Sequence, residues 1–483
     1  MKTGQRGPLG FPDSQFQRNV MTDPHVDGNP YLVAPVARVF VRTAAPIILV
    51  MTVNGLFTVV DALFLGHYAG AKALTAVTLM FPLMMLMIAL QTMVASGMAS
   101  IVARQLGARD LRAAEGTVFA AHLLAVAVCA VLILGLALTG GTMARALSGD
   151  DPEIARLGIV FLSIMVVFAP FSFFLGIQAD TLRSEGHVGA MALLAVVATV
   201  LNILFNYLLI GVFDYGVAGS AAGTILAQAL AMAGVVGLRL SGHTRLPLFA
   251  RGSGAILADW RAILALGAPQ SLGFLGISLT TGLVIVEVQL WSPSGYADTV
   301  AAYGIINRIL TFAYLPLLGM SMACQSIAGN NAGAGRFDRS GAVLRIGVGC
   351  ALVYAAAFET AFLLWPAAIG GLFVDAPRVV GEIARIMPVI CATYAVAMPM
   401  MVVGGYFQAL GMAGNAAVLS LARTYAIGLP LLSTMPSLLG ERGIWLSTPI
   451  GDVLMLAVAA ALLGWNARRH DLRWGLFRRP VAA

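Results

Sequence analysis

Asp61 lies within an almost wholly apolar stretch, and two further polar residues, Asn54 and Thr58, precede it at positions that bring all three to one face of a helix. A carboxylate in a segment long enough to cross a bilayer costs roughly 3 kcal/mol or more at the midplane, so it must face protein or water and not lipid. Its chemistry there is that of a group taking up and releasing one positive charge. Further along, Asn202 and Asn206 share a face, and Ser220, Thr224 and Gln228 form a stripe. Amides and hydroxyls persist in hydrocarbon only where they bond one another or line a cavity. One carboxylate among amide and hydroxyl oxygens suits a single monovalent cation, either a proton on the carboxylate or Na⁺ on hard oxygen ligands.

The elements that must position these groups follow from composition. With 59% hydrophobic and 11% charged residues and a mean hydropathy of +0.88, the 483-residue chain reads as an all-α polytopic membrane protein. Apolar runs give about twelve helices, over 36–65, 73–103, 113–139, 155–180, 188–211, 216–240, 260–291, 299–329, 341–372, 380–410, 416–439 and 443–466. Residues 1–34 are expected to be a flexible cytoplasmic tail, 35–240 a first six-helix bundle, 241–259 a cytoplasmic linker, 260–466 a second bundle and 467–483 a basic tail. Breaks after even-numbered helices are the arginine-rich ones, for example Arg104, Arg109 and Arg112, which places both termini in the cytoplasm by the positive-inside rule.

A faint repeat supports the two halves. Gln105-Leu-Gly-Ala-Arg-Asp110 after the second helix resembles Asn331-Ala-Gly-Ala-Gly-Arg336 after the eighth, with Gly107 and Gly333 separated by 226 residues; Gln178 and Gln408 are separated by 230. A shift of six helices preserves orientation, so the halves are parallel repeats. The second half carries its own acid in the seventh helix, Glu287, 226 residues after Asp61, whereas Pro46 and Pro269 differ by 223. Further polar positions are Tyr303, Asn307 and Thr311, with Arg308 beside them as a candidate partner for a buried acid, then Glu359 and Asp452. Asn54, Thr58, Gln228, Tyr303 and Asn307 are the candidates for a substrate cleft.

Several functions are excluded. The only lysines, Lys2 and Lys72, are not part of a phosphate-cradling loop, so energy must come from another source than an ATP site of that type. Basic residues sit in short clusters and not in one continuous patch, which argues against nucleic acid. The four cysteines lie in apolar runs without metal-ligand spacing and read as core residues. No motif of a hydrolase or a metalloprotease occurs.

Pro46, Asp61-Ala-Leu-Phe-Leu-Gly-His67 and Gln105-Leu-Gly-Ala-Arg109 form a pattern that resembles the multidrug and toxic compound extrusion (MATE) family. The same holds for Leu182-Arg-Ser-Glu-Gly186, Asn202-Ile-Leu-Phe-Asn206, Gly219-Ser-Ala-Ala-Gly-Thr224 and Gly404-Gly-Tyr-Phe-Gln-Ala-Leu-Gly411. The resemblance covers residues 36–466. It implies an antiporter of two six-helix bundles, exporting amphiphilic and often cationic compounds by alternating access in exchange for H⁺ or Na⁺, and no organic cofactor. The family's cation site maps onto Asp61, Asn202, Asn206 and Thr224. Many members have Asp where this chain has Asn206; the lost carboxylate favours a proton over Na⁺. Glu287 is carried over as a second-bundle acid although its distance from Pro269 departs from the pattern. The implied setting is a bacterial inner membrane, with a monomeric protein whose partners are small-molecule substrates and lipid. The alternative is a flippase for lipid-linked precursors, against which the scarcity of intramembrane arginines, mainly Arg308 and Arg423, counts.

Overall fold

The computed structural model describes residues 29–148, 151–242, 244–248, 256–292, 295–469, 472–473 and 476–478. Ten of its helices are long and apolar enough to cross a membrane, and two bent pairs bring the count to twelve. In chain order these are α1 Val36–Phe64, α2 Ala71–Gly107, α3 Leu111–Leu147, α4 Pro152–Val167 with Ala169–Glu185, α5 Val188–Asn206, α6 Gly216–Leu240 and α7 Ile256–Trp291. There follow α8 Tyr296–Gly333, α9 Phe337–Leu364, α10 Pro377–Cys391 with Tyr394–Ala397 and Met400–Ala409, α11 Ala413–Leu421 with Leu429–Leu439, and α12 Glu441–Arg469. The twelve-helix, all-α integral membrane architecture expected from composition is the one observed. Among the described residues the sole sheet is a two-residue pairing of Leu472–Arg473 with Phe477–Arg478.

Burial follows membrane logic and not that of a soluble helix. On α5, Leu193, Val197, Val200 and Leu204 recur at helical spacing and are exposed, whereas Asn202 and Asn206 on the opposite face are buried. The apolar stripe is the lipid face and the polar one points inward. Local chemistry sets the ends: Asp110 caps α3 through the Ala113 amide at 3.0 Å, and Asp151 caps α4 through Glu153 at 2.9 Å and Ile154 at 3.2 Å. Gly186 ends α4 at φ +93°, a conformation that suits glycine. The expected helix over 341–372 stops at Leu364, because Pro366 cannot continue it; a separate short helix, Pro366–Gly371, follows.

Two helices break at positions related by the repeat. α4 bends by 47° at Phe168 and α10 by 41° at Ala392–Thr393. Among the described residues, wide turns with i→i+5 hydrogen bonding occur at three places: Leu65–Ala69 after α1, Tyr207–Val212 after α5 and Ala422–Gly428 within α11. The one on α5 and the one on α11 occupy corresponding helices of the two halves.

By packing the chain divides into two compact units, residues 45–271 and the remainder. The boundaries lie inside α1 and α7, next to Pro46 and Pro269, and not in the expected linker over 241–259. In the unit of residues 45–271, Met80, Val94, Met98, Phe173 and Ile177 form part of the core. Gly97 and Gly267 allow α2 and α7 to meet backbone to backbone there, since a Cβ on either would collide with the carbonyl of Ile263 or Met93. The linker is pinned at Leu246: its amide donates to Glu185 Oε1 at 2.7 Å, and Arg239 Nη1 donates to its carbonyl at 3.0 Å.

The other unit corrects the expectation of a flexible tail up to residue 34. Residues 29–34 are fastened to the ends of α8 and α9. Asn29 Nδ2 donates to Asn330 Oδ1 at 2.9 Å, Asn331 Nδ2 to the Tyr31 carbonyl at 3.1 Å, Arg336 Nη1 to the Leu32 carbonyl and Arg339 Nη2 to the Ala34 carbonyl, both at 2.7 Å. Tyr31 is buried beneath them. The remainder of the expected tail, residues 1–28, lies outside the described residues.

Candidate cation-coupling site

Three helices of the 45–271 unit converge on Asp61, which sits within one turn of the end of α1. Asn206, on the last turn of α5 before its wide turn, directs both amide hydrogens to useful acceptors. One goes to Asp61 Oδ1 at 2.6 Å and the other to Asn202 Oδ1 at 3.0 Å. Asn202 Nδ2 in turn donates to Thr224 Oγ1 at 3.0 Å, Thr224 Oγ1 to the Ser220 carbonyl at 3.1 Å, and Ser220 Oγ returns to Asp61 Oδ1 at 3.4 Å. The result is a closed ring through four side chains and Asp61.

The ring orients neutral donors at a carboxylate. Hydrogen bonds to an ionised acceptor are the stronger kind, yet no ion pair among the described residues includes Asp61. The Asn206 Oδ1 atom is buried without a donor, because α6 approaches at Gly223, where a Cβ would lie 2.5 Å from that oxygen. Net negative charge and an amide oxygen with unused lone pairs therefore occur together. Such a set can take a proton on the carboxylate or hold a small hard cation among oxygens.

Of the residues expected to form the cation site, the structure brings Asp61, Asn202, Asn206 and Thr224 together and adds Ser220. The expected substrate-cleft residues are placed as follows. Asn54 Oδ1 accepts from Thr199 at 3.3 Å, and the Thr58 side chain lies outside the described residues. Gln228 Oε1 accepts from Ser172 at 2.6 Å, which ties α6 to the broken helix α4. In the other unit, Tyr303 is buried against Trp445 with ring centroids 5.9 Å apart, and Asn307 is half-buried with its carbonyl taken by Thr311.

The second-bundle acids are dispersed. Glu287 is buried and accepts from Trp291 Nε1 at 3.1 Å, one turn along the same helix. Glu359 accepts from the Ala395 amide at 2.5 Å, just past the break in α10. Asp452 is paired with Arg423 at 2.8 Å and receives Thr393 Oγ1 at 2.7 Å. The arginine that neutralises a second-bundle acid is thus Arg423 and not Arg308, whose side chain is exposed.

Sequence reasoning did not anticipate the buried pair Arg239–Glu185 at 2.6 Å, in which Arg239 also donates from Nε to Gln178 at 3.1 Å. A signal was present in the acid of Leu182-Arg-Ser-Glu-Gly186, since a carboxylate at a buried helix end needs a cation.

Up to twelve apolar spans, with a carboxylate ringed by amides and hydroxyls inside one unit, fit a membrane transport protein. The sequence profile of the MatE family matches residues 46–208 and 278–433, and the chain belongs to that family of multidrug efflux transporters, membrane-embedded proteins whose substrates are small molecules. It is 27% identical to a probable multidrug resistance protein of Bacillus subtilis over 63% of this chain and 66% of that one. It is 24% identical to multidrug and toxin extrusion protein 1 of Xenopus tropicalis, over 90% of this chain and 76% of that one, and 23% identical to an FAD transporter of Shewanella oneidensis, over 89% and 94%. A crystal structure of a MATE protein in complex with MaL6 superimposes with a TM-score of 0.81 at 23% identity, covering 90% of this chain and 97% of that one.

Proposed function

We propose that this chain exports amphiphilic, often cationic, organic compounds in exchange for a cation that binds at Asp61, with H⁺ favoured over Na⁺. The observation that carries the reading is the hydrogen-bonded ring that aims neutral donors at a half-buried carboxylate lacking a counter-ion among the described residues. A charge held that way in a bilayer is stabilised by anything that neutralises it. Asn206, in place of a second carboxylate, leaves a single negative charge to be neutralised, which a proton does completely.

In this reading the cation neutralises Asp61 and loosens the grip of Asn206 and Ser220 on its Oδ1 atom. The ends of α1, α5 and α6 then repack, and the substrate-bound state is disfavoured. Coupling requires only that cation and substrate each weaken the other's bound state, typically by about 1–3 kcal/mol. The wide turn Tyr207–Val212 directly follows Asn206 and supplies a segment in which helical bonding is already loosened. Arginine placement puts both termini in the cytoplasm, and a monomer in a bacterial inner membrane is the expected setting. The relatives include proteins named for multidrug resistance and one named for FAD transport, so the substrate class is to be measured. The 22 Met and 23 Phe residues supply adaptable apolar contact for a broad one.

The test is efflux of a panel of organic cations from proteoliposomes under an imposed pH gradient or an imposed Na⁺ gradient. Efflux driven by the pH gradient and abolished by Asp61→Asn is the expected result. Coupled transport that survives Asp61→Asn overturns the assignment of the site, and no movement of any cation under either gradient overturns the exporter reading.

A further inference from the structure

The arginine that neutralises Asp452 is only partly used. Arg423 lies in the wide turn Ala422–Gly428, close to the middle of α11, and donates to Asp452 Oδ1 from Nε. Asp452 Oδ2 is occupied by Thr393. Both carboxylate oxygens are therefore engaged, while the two terminal guanidinium nitrogens have no hydrogen-bond partner among the described residues. The Asp452 side chain is 4% exposed, but that of Arg423 is 36% exposed. The pair thus has a closed side and an open one, and the open side is the Nη1/Nη2 edge, whose planar fork matches the geometry of a carboxylate or phosphate.

A second group points to the same use. Tyr394 follows directly on Thr393 at the break of α10; its side chain is buried, and its hydroxyl has no partner. Its neighbour Thr393 is hydrogen-bonded to Asp452, which places Tyr394 beside the ion pair. A buried hydroxyl and an open guanidinium edge each cost free energy while unpaired, and an anionic group that reached both would satisfy both. The charge balance permits it: Asp452 cancels Arg423, so an incoming anion meets no net repulsion from the pair, and Glu359 is held separately by the Ala395 amide.

The repeat sharpens the contrast. The fifth and sixth helices of the first half, α5 and α6, present amides and hydroxyls to an unneutralised acid. Their counterparts α11 and α12 present a guanidinium whose acid is already satisfied.

We propose that Arg423 and the Tyr394 hydroxyl form a receiving site for the anionic group, a carboxylate or phosphate, of an amphiphilic substrate. Asp452 holds the Nε edge of the guanidinium while the Nη1/Nη2 edge meets the ligand. The position near the middle of α11 places the site away from lipid headgroups and assigns it to a substrate. The inference rests on the transporter reading above, and it extends the substrate class to zwitterionic and anion-bearing compounds.

The test compares two probes on the purified full-length protein in detergent, by fluorescence polarisation: a rhodamine with a free carboxylate and the ethyl ester of the same dye. Arg423→Gln with Asp452→Asn replaces the ion pair by two amides of similar shape, so no unpaired charge is left buried. The double variant is expected to bind the acid about tenfold more weakly than the wild type and the ester within about twofold. Tyr394→Phe, which removes a single hydroxyl, is expected to weaken the acid alone, by about threefold. Equal losses for acid and ester, or no loss for either, overturn the proposal. Efflux of the ester from proteoliposomes by the wild type is the parallel control: its absence rejects the exporter reading, whereas its presence together with no acid-selective loss rejects the anion site alone.

Discussion

The most exacting test of the Asp61 ring is a single methyl group. Gly223 lies on α6 opposite Asn206, and a Cβ there would fall 2.5 Å from Asn206 Oδ1 and 3.3 Å from both the Asn206 amide nitrogen and Phe205 Cβ. Carbon and oxygen do not approach so closely without displacement; in Gly223→Ala the Asn206 amide must shift by about 1 Å, since the backbone contacts restrict any other response. That amide holds Asp61 at 2.6 Å and Asn202 at 3.0 Å with its two hydrogens. A shift of this size removes at least the bond to the carboxylate, and a hydrogen bond to a charged group is worth about 1.5–3 kcal/mol. At 1.4 kcal/mol per decade, the cation dependence of transport moves by about 10- to 150-fold. The assay is efflux from proteoliposomes as a function of the driving gradient, alongside Asn206→Ala. The double substitution Gly223→Ala/Asn206→Ala is expected to be no worse than Asn206→Ala alone, because the methyl group acts through that amide. A Gly223→Ala protein whose cation dependence stays within twofold of the wild type, or effects that add in the double variant, would refute the ring as the coupling element.

Two further outcomes follow from the packing. Glu185→Gln leaves Arg239 buried without its counter-charge and weakens the hold on Leu246; an unfolding free energy lower by about 3–5 kcal/mol and faster tryptic cleavage at Arg245 are expected, read by thermal unfolding and by proteolysis of the purified protein. Gly97→Ala and Gly267→Ala each drive a methyl group into the backbone carbonyl of a facing helix, and a loss of about 1–3 kcal/mol is expected, whereas Gly135→Ala, with nothing within 4 Å of its new carbon, serves as the control that shows no such loss in the same unfolding assay.

Helices and ring were legible in the sequence for one reason: both are written in helical periodicity. Asn202 and Asn206, then Ser220 and Thr224, stand one turn apart, so each pair had to share a face, and the scarcity of polar groups in those stretches left them few partners other than one another and Asp61. The pairing of Arg423 with Asp452 depends instead on how α11 and α12 are rotated about their axes, which no spacing within either helix reveals. Arg339 and Arg239 illustrate a different obstacle. Arginines at span ends ordinarily anchor to headgroups and set topology, yet here they bind backbone carbonyls of residues 29–34 and of the linker. A main-chain acceptor leaves no trace in side-chain identity. The breaks in α4 and α10 had signals in Pro170 and Pro388, but proline inside a membrane helix is compatible with a straight span or a bent one, and only packing decides.

The two acid sites differ in what could move them. A ligand shifts an equilibrium only by its differential affinity for the two states. At Asp61 the surrounding donors are neutral, so adding one positive charge takes the group from net negative to neutral and changes the electrostatic terms that hold α1 to α5 and α6. At Asp452 the guanidinium already supplies that charge: a proton arriving there would have to displace Arg423 from Oδ1 and would leave the guanidinium without its counter-charge. In the proposed reading the cation-sensitive element is the one with the unneutralised acid, and a role for Asp452 in ion coupling would require Arg423 to withdraw first. Binding of a substrate carboxylate or phosphate at the Nη1/Nη2 edge demands no such withdrawal, which is why the same ion pair that disqualifies Asp452 as a proton carrier suits Arg423 to receive an anion.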